Sequence, residues 1–198
     1  MKKLILIPIM LLLGYNSVYF RKLSDIRKQK GGNFDFVAFV GSLYYKGILK
    51  SDKAIDLSQL LDLVRSSPDS AFKRYGNRLG IGNSAFFMVK SSGKISRIED
   101  GMITLMDEKT GAISIDTKYV FGNAIRDASG LVKLTDFKTN ADFNKVSEAL
   151  NTVIREKALP PLVQKLHVGE EISFIGALKL SKKEIVEVLI LPVQLEHR

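Results

Sequence analysis

Four polar residues have side chains that together suit a ligand rich in hydroxyl or carboxylate groups. Asn123, Arg126 and Asp127 lie within five residues of one another, and Asn83 precedes the first run of strand-forming residues. Arg126 would act as a forked donor, Asp127 would orient it, and the two amides would both donate and accept. The clustering therefore predicts a ligand site at Asn83, Asn123, Arg126 and Asp127.

The same cluster also has a structural interpretation. Gly122-Asn123 and Ser129-Gly130 are turn signals, which predicts a polar turn between two apolar strand-like runs within residues 119–137. Polar side chains in turns mostly bond nearby backbone. An Asp–Arg pair with an Asn would then join the turn to the fold beside it, and the residues alone leave both interpretations open.

Other groups that carry chemistry are scarce. The chain has two histidines and no cysteine, which excludes thiol nucleophiles and thiolate metal sites. His167 lies just before Glu170 and Glu171, a pattern conceivable for a metal but typical of a solvated loop. We expect no catalytic residue, metal or cofactor. A hydrolase that uses Asp127 on a substrate bound by Arg126 is the alternative, and it needs a carboxylate of raised pKa in a cleft.

The elements that must position these residues change character along the chain. Residues 34–80 have apolar side chains at helical spacing, which predicts helices over 36–48 and 57–66, the second capped by Asp56, and a short one from Pro68 to 75. From residue 84 the spacing becomes strand-like. Strands are predicted over 85–90, 94–98, 102–106, 112–115, 131–134, 172–180 and 185–195, with Ser91-Ser92-Gly93 as a hairpin turn.

One clear helix interrupts the strands. Asn140 is its predicted cap, and Leu159-Pro160-Pro161 ends it. Several strands, a helix and two more strands is the element order of an oligonucleotide/oligosaccharide-binding (OB) barrel. We therefore predict an α+β protein: an OB-like small antiparallel β-barrel with one inserted helix over residues 84–198, preceded by a helical lead-in.

The charge of the chain is concentrated at its N-terminus. Residues 1–30 hold seven Lys or Arg and one Asp, a net +6 of the total +9, so residues 31–198 carry +3. This distribution disfavours nucleic acid, which calls for a basic face on the folded domain. Basic residues beside the apolar run of residues 4–20 suit anionic headgroups instead.

The apolar run predicts an attachment to the membrane. Lys2 and Lys3 precede it, as in an export signal. Tyr15 stands where a lipoprotein would carry its acylated cysteine, so we expect an uncleaved signal anchor and basic flank in residues 1–30 and one globular domain in residues 31–198. The cations after the run outnumber those before it, and on charge alone the domain would stay in the cytoplasm.

Several segments together resemble a bacterial family of predicted periplasmic lipoproteins of unknown function. The resemblance covers about residues 34–196 and is carried by Arg78–Phe87, Tyr119–Ala128, Asp136-Phe137, Phe143-Asn144, Val146–Asn151 and Pro192–Glu196. Members of that family are often encoded beside sugar ABC transporters. The resemblance implies a domain facing the periplasm, anchored at the inner membrane, with an accessory role in sugar uptake. It brings no catalytic residues.

We therefore expect a non-enzymatic binding or accessory module of the envelope, with the membrane and sugar ABC transporter components as partners. Two other classes stay open. One is the hydrolase described above. The other is an OB-type nucleic-acid binder, which needs exposed aromatic rings between basic residues on the barrel face.

Overall fold

A computed structural model describes residues 34–78, 82–182 and 187–198, and residues 35–198 form one compact unit. The predicted anchor over residues 4–20 and the basic flank up to residue 30 lie outside the described residues. Within the part of the chain that is described, no helix combines the length and the apolarity needed to cross a membrane.

Five strands pair in a ring, and a sixth short strand joins its outside. The ring runs from β2 through β3, β4, β6 and β5 back to β2, while β1 pairs with β2 in parallel. The strands are β1 Ile55–Asp56, β2 Ser84–Glu99, β3 Met102–Asp107, β4 Gly111–Asp116, β5 Glu171–Ser181 and β6 Leu189–His197. The pairing of β4 with β6 is parallel and the other pairings within the ring are antiparallel. The sheet is therefore mixed.

Strand β2 closes the ring because it pairs with both β3 and β5. Its residues 84–94 pair with β5 and its residues 94–99 pair with β3. The predicted turn at Ser91-Ser92-Gly93 is wrong, since the strand continues through it. A Cβ on Gly93 would lie 2.8 Å from the carbonyl oxygen of Met106. The glycine thus allows β3 to come close to β2 and does not mark a turn.

Helices precede the ring and fill the insertion between β4 and β5. They are α1 Phe36–Ser42, α2 Leu57–Ser66, α3 Pro68–Arg74, α4 Ala124–Ser129, α5 Asn140–Val153 and α6 Pro160–Val163. Asp56 caps α2, as predicted, by accepting a hydrogen bond from the Gln59 amide. Helix α5 is capped by Thr139 and not by Asn140, because the Thr139 hydroxyl accepts from the Asp142 amide.

The helical lead-in is attached to the ring through its buried side chains. Helix α2 buries an apolar face of Leu57, Leu60, Leu61 and Val64. After α1 the chain continues through a π-helical turn, Leu43–Gly47. The buried Tyr44 hydroxyl in this turn donates to the Val193 carbonyl of β6 at 2.9 Å. Burial, with a smaller effect of Tyr45, raises the pKa of Tyr44 to about 12, so the phenol keeps the proton that it donates.

The segment of residues 119–137 differs from its prediction as a polar turn between two strands. It contains the short buried helix α4 and, after it, a 3-10 turn at Leu134–Asp136. The predicted strand over 131–134 is wrong. Gly130 has φ 57° at the end of α4, a conformation that favours glycine. The turn signals thus mark the two ends of a helix.

Candidate functional site

Helix α4 directs two charged side chains into the core. Arg126 is 2% exposed and Asp127 is 6% exposed. The Arg126 guanidinium meets the Asp127 carboxylate through Nε at 2.9 Å and Nη2 at 2.8 Å, and its Nη1 donates to the Phe143 carbonyl at 3.1 Å. Its carbon lies 3.5 Å from the centroid of the Phe143 ring. The pair therefore joins α4 to α5.

The two predicted asparagines lie in different settings. Asn123, which is exposed at the start of α4, donates to the second carboxylate oxygen of Asp127 at 2.5 Å. Asn83 is exposed just before β2, and its carbonyl accepts from the Lys182 amide at 2.8 Å. Among the described residues, Asn83 forms no hydrogen bond with the other three. The structure thus brings together Asn123, Arg126 and Asp127 and places Asn83 apart.

The arrangement favours the structural interpretation of this cluster. Each Asp127 oxygen already accepts a hydrogen bond from the protein, and the guanidinium is buried between a carboxylate, a carbonyl and a ring. A hydrolase was expected to have a free carboxylate in a cleft, and the bond of Asp127 to Arg126 counts against it. The ligand-binding role of these residues stays a prediction.

A groove of about 530 Å³ lies elsewhere, on the outer face of β2, β5 and β6. Two rows of directly paired residues cross its floor. One row contains Lys90, Ile175 and Gln194, and the other contains Ser92, Ser173 and Glu196. Residues two apart on a strand face the same side, so both rows point into the same space. The floor offers hydroxyl, amide, ammonium and carboxylate groups.

The walls of the groove come from three other parts of the chain. Asp56 and Ser58 line it from the start of α2, and Asp107 and Lys109 line it from the hairpin between β3 and β4. At the opposite side Arg198 donates to the Ser92 hydroxyl at 2.7 Å and to the Glu171 carboxylate at 2.9 Å. The lining thus has three cationic and three acidic side chains: Lys90, Lys109 and Arg198, and Asp56, Asp107 and Glu196.

Two of the groove carboxylates are held ionised by hydrogen bonds. A bond from the Ser58 hydroxyl is the main cause of the lowered pKa of Asp56. Burial alone would raise the pKa of Asp107, but hydrogen bonds from Thr110 and Lys109 together outweigh it, so its pKa is also lowered. Both groups therefore act as acceptors at neutral pH.

Several groove donors have no partner in the protein. Among the described residues, no hydrogen bond or ion pair engages the ammonium groups of Lys90 and Lys109. The hydroxyl of Ser173 forms none within the same part of the chain either. A polar ligand in the groove would therefore find unoccupied donors, in contrast to those of Arg126.

The predicted loop at His167 shows no metal arrangement. His167 is exposed, and its ring nitrogen Nδ1 lies 3.4 Å from a Glu170 oxygen. Within the described residues, no group of three His, Asp or Glu side chains could hold a metal ion. The backbone amide of His167 is the main cause of the lowered pKa of Glu170. This pair closes a turn before β5.

The groove was not predicted because its residues come from five separated stretches of sequence. Each stretch contributes one to three polar residues, and none forms a recognised motif. One signal was available: Lys90 with Ser92, and Gln194 with Glu196, are polar at every second position of a strand. Such spacing marks an outward face, but only the strand register shows that these faces adjoin.

Comparison with a solved structure confirms the predicted OB-like α+β fold. An OB-fold protein from Thermotoga maritima, with a crystal structure at 1.90 Å resolution, has a TM-score of 0.72 to this chain. The sequences are 23% identical, and the alignment covers 84% of this chain and 100% of that one. No curated protein matches the chain significantly.

A family model extends the similarity to almost the whole chain. The model described as "Predicted periplasmic lipoprotein (DUF2291)" matches residues 8–196 and supports an envelope location. The 198 residues contain no cysteine, so they offer no thiol for the lipid that the description implies. By this match, which confirms the resemblance in Arg78–Phe87 and Tyr119–Ala128, the chain belongs to the family of predicted periplasmic lipoproteins.

Proposed function

We propose that this protein is a non-enzymatic binding module of the cell envelope that holds a small, uncharged, polyhydroxylated ligand in the groove. The observation that carries the proposal is the balance of the lining: three cations, three carboxylates and the unoccupied Ser173 hydroxyl. Hydroxyl groups of a sugar both donate and accept, so a mixed set of charged donors and acceptors suits them. A groove without net charge gives a neutral ligand no electrostatic disadvantage.

The other two classes fit this groove less well. A nucleic-acid groove combines excess positive charge with exposed aromatic rings, whereas the one ring in this lining, Phe174, is buried. A general acid needs a raised pKa, whereas the pKa values of Asp56 and Asp107 are lowered. The first comparison disfavours nucleic acid as the ligand, and the second disfavours catalysis.

The proposal includes a place in the cell. The domain faces the periplasm from the inner membrane, attached through residues 4–20, and passes or presents a sugar to components of a sugar ABC transporter. Membership of an envelope family supports the location. The link to sugar uptake comes from the gene neighbourhood that the resemblance implies.

Calorimetric titration of the full-length protein with glucose, galactose, ribose and maltose tests the binding role. Ser173→Trp places an indole in the middle of the groove floor, and we expect affinity to fall by about 100-fold or more because the ligand volume is filled. Ser96→Trp is the matched control, since Ser96 is exposed on the same sheet outside the groove. A folded protein that binds none of the four sugars, or equal binding by the two variants, contradicts the proposal.

The location and partner are tested in native membranes. A tagged full-length protein is cross-linked and recovered while protease is added to intact spheroplasts. We expect the domain to be cleaved and transporter subunits or a solute-binding protein to be recovered with it. A protected domain that brings down ribosomal material would reverse the orientation and remove the uptake role, without affecting the sugar titration.

A further inference from the structure

A second surface, separate from the groove floor, gathers positive charge where α3 meets the start of β2 and the end of β5. We call it the basic face, and it consists of Lys73, Arg74, Arg78, Lys179 and Lys182. The contacts show that it is continuous. Lys182, just after β5, reaches Asp69 and the Phe72 ring of α3. Asn77, just after α3, pairs with Phe86, which pairs with Lys179 of β5.

Aromatic rings lie beneath three of these cations. The ammonium of Lys179 is 5.9 Å from the centroid of the Phe86 ring, and that of Lys182 is 5.5 Å from Phe72. The Arg74 guanidinium lies 5.1 Å from Tyr75. Cations above aromatic rings are the side-chain combination that proteins place at the headgroup level of a bilayer.

Acidic groups do little to neutralise this face. Within the described residues, the only ion pair of its five cations is the contact of Lys182 with Asp69. Five cations and one acid give +4. Residues 31–198 as a whole carry 23 basic and 20 acidic residues, or +3. The rest of residues 31–198 therefore sums to −1.

We propose that the basic face docks on anionic lipid headgroups and thereby fixes how the domain lies on the membrane. Charge complementarity identifies this occupant, since a +4 surface with interleaved rings matches a negatively charged leaflet. The family's envelope location and the basic flank of residues 21–30 favour the same surface. This inference is independent of the sugar-binding role of the groove.

The docking has a consequence for the groove. Phe86 of the basic face and Lys90 of the groove are four residues apart on β2, or about 13 Å along a strand. They face the same side because their spacing is even. A docked domain therefore holds the groove close to the headgroups.

The test uses the full-length protein in nanodiscs of phosphatidylcholine with 30% phosphatidylglycerol, or of phosphatidylcholine alone. The natural chain has no cysteine, so Asn83→Cys gives a single labelling site next to Lys182. A fluorophore there is quenched by headgroup spin labels only when the domain docks. We expect strong quenching in the anionic discs. The quenching should be lost at 0.5 M salt, because electrostatic attraction then reaches only about 4 Å.

Charge reversal supplies the control. Lys73→Glu with Lys179→Glu should lower the docked-to-free ratio at least about tenfold, since each basic residue near an anionic surface contributes about 1 kcal/mol. Lys138→Glu with Lys165→Glu changes the total charge equally at exposed positions away from the face. Equal quenching in both lipids, or equal loss in both double variants, overturns the proposal. Quenching that salt does not abolish but a single-stranded oligonucleotide does would also overturn the proposal, because it would assign the face to nucleic acid.

Discussion

Arg126 and Asp127 carry their charges inside the fold, whereas Lys90 and Lys109 carry theirs on the outer face of the sheet. The first pair uses its donors and acceptors on itself and on α5. In the groove, the carboxylates of Asp56 and Asp107 are fixed by local bonds, while the ammonium groups of Lys90 and Lys109 form no hydrogen bond or ion pair among the described residues. The two regions show that a cluster of polar residues in sequence indicates strong local bonding, and that a binding surface needs donors left over by the fold.

The largest expected effect is the loss of one partner of the buried pair. Asp127→Ala leaves a charged guanidinium in the core without its carboxylate, and we expect the free energy of unfolding to fall by about 3–5 kcal/mol. Asp62→Ala is the control, since Asp62 pairs with Arg65 on the surface, and such a pair contributes up to about 1 kcal/mol. Urea denaturation measures both. Similar losses in the two variants would mean that the pair does not support the core.

Alanine substitution of two glycines tests how well each region tolerates an added methyl group. Gly130 at the end of α4 and Gly111 at the groove hairpin both have positive φ, 57° and 78°. Alanine should cost about 1 kcal/mol at either from the backbone alone. At Gly130 a Cβ would also lie 2.6 Å from the Asn77 side-chain oxygen, whereas at Gly111 nothing lies within 4 Å. We expect Gly130→Ala to lower the melting temperature more than Gly111→Ala, and the reverse order would contradict this packing.

Removal of a groove cation should weaken sugar binding and leave stability almost unchanged, whereas removal of Asp127 lowers stability. Lys90→Ala and Lys109→Ala remove ammonium groups that bond nothing in the described part of the protein, so we expect stability to change by less than about 0.5 kcal/mol. Sugar affinity should fall by about fivefold or more in each, because a charged donor is lost. Chemical denaturation and calorimetry separate the two quantities. A loss of stability without a loss of affinity would make these lysines structural.

The smallest expected effect concerns the pH dependence of the groove carboxylates. The folded-state pKa of Asp56 lies below its ordinary value of 3.8, so its ionised form stabilises the fold above about pH 4. That contribution is lost as the pH falls through the folded-state pKa. Asp56→Asn should thus be less stable than the natural protein at pH 7, and the difference should close towards pH 2. Urea titrations across this pH range measure the difference in stability. A difference that does not change with pH would show that ionisation of Asp56 does not contribute.

The sequence was informative wherever one local interaction decides the structure. Asp56 was recognised as a helix cap because its carboxylate needs only the amide three residues on. Apolar spacing found α1, α2, α3, α5 and most strands for the same reason, but it missed α4 and α6. The order of elements then sufficed to predict the OB-like fold, which the crystal structure from Thermotoga maritima confirms.

The predictions were wrong where tertiary contacts determine the local structure. Gly93 belongs to a turn by its neighbours, but the approach of Met106 makes it part of a continuous strand. Arg126 was predicted to bind a ligand from a polar turn, but Phe143 and Asp127 supply a complete buried environment. The groove depends on the register of β2, β5 and β6, which no stretch of sequence contains.

The shared strand β2 also bears on how quickly the domain can fold. Its pairing with β5 joins Ser84 to Ser181 and Lys94 to Glu171, which are 97 and 77 positions apart in the chain. Contacts of such separation carry a large loop-closure entropy, and domains dominated by them fold on the order of milliseconds to seconds. The ring therefore cannot close until β5 and β6 have been synthesised. Until β5 is present, the apolar residues of β2 lack one of their two strand neighbours, so the incomplete chain is the state most exposed to aggregation and proteolysis.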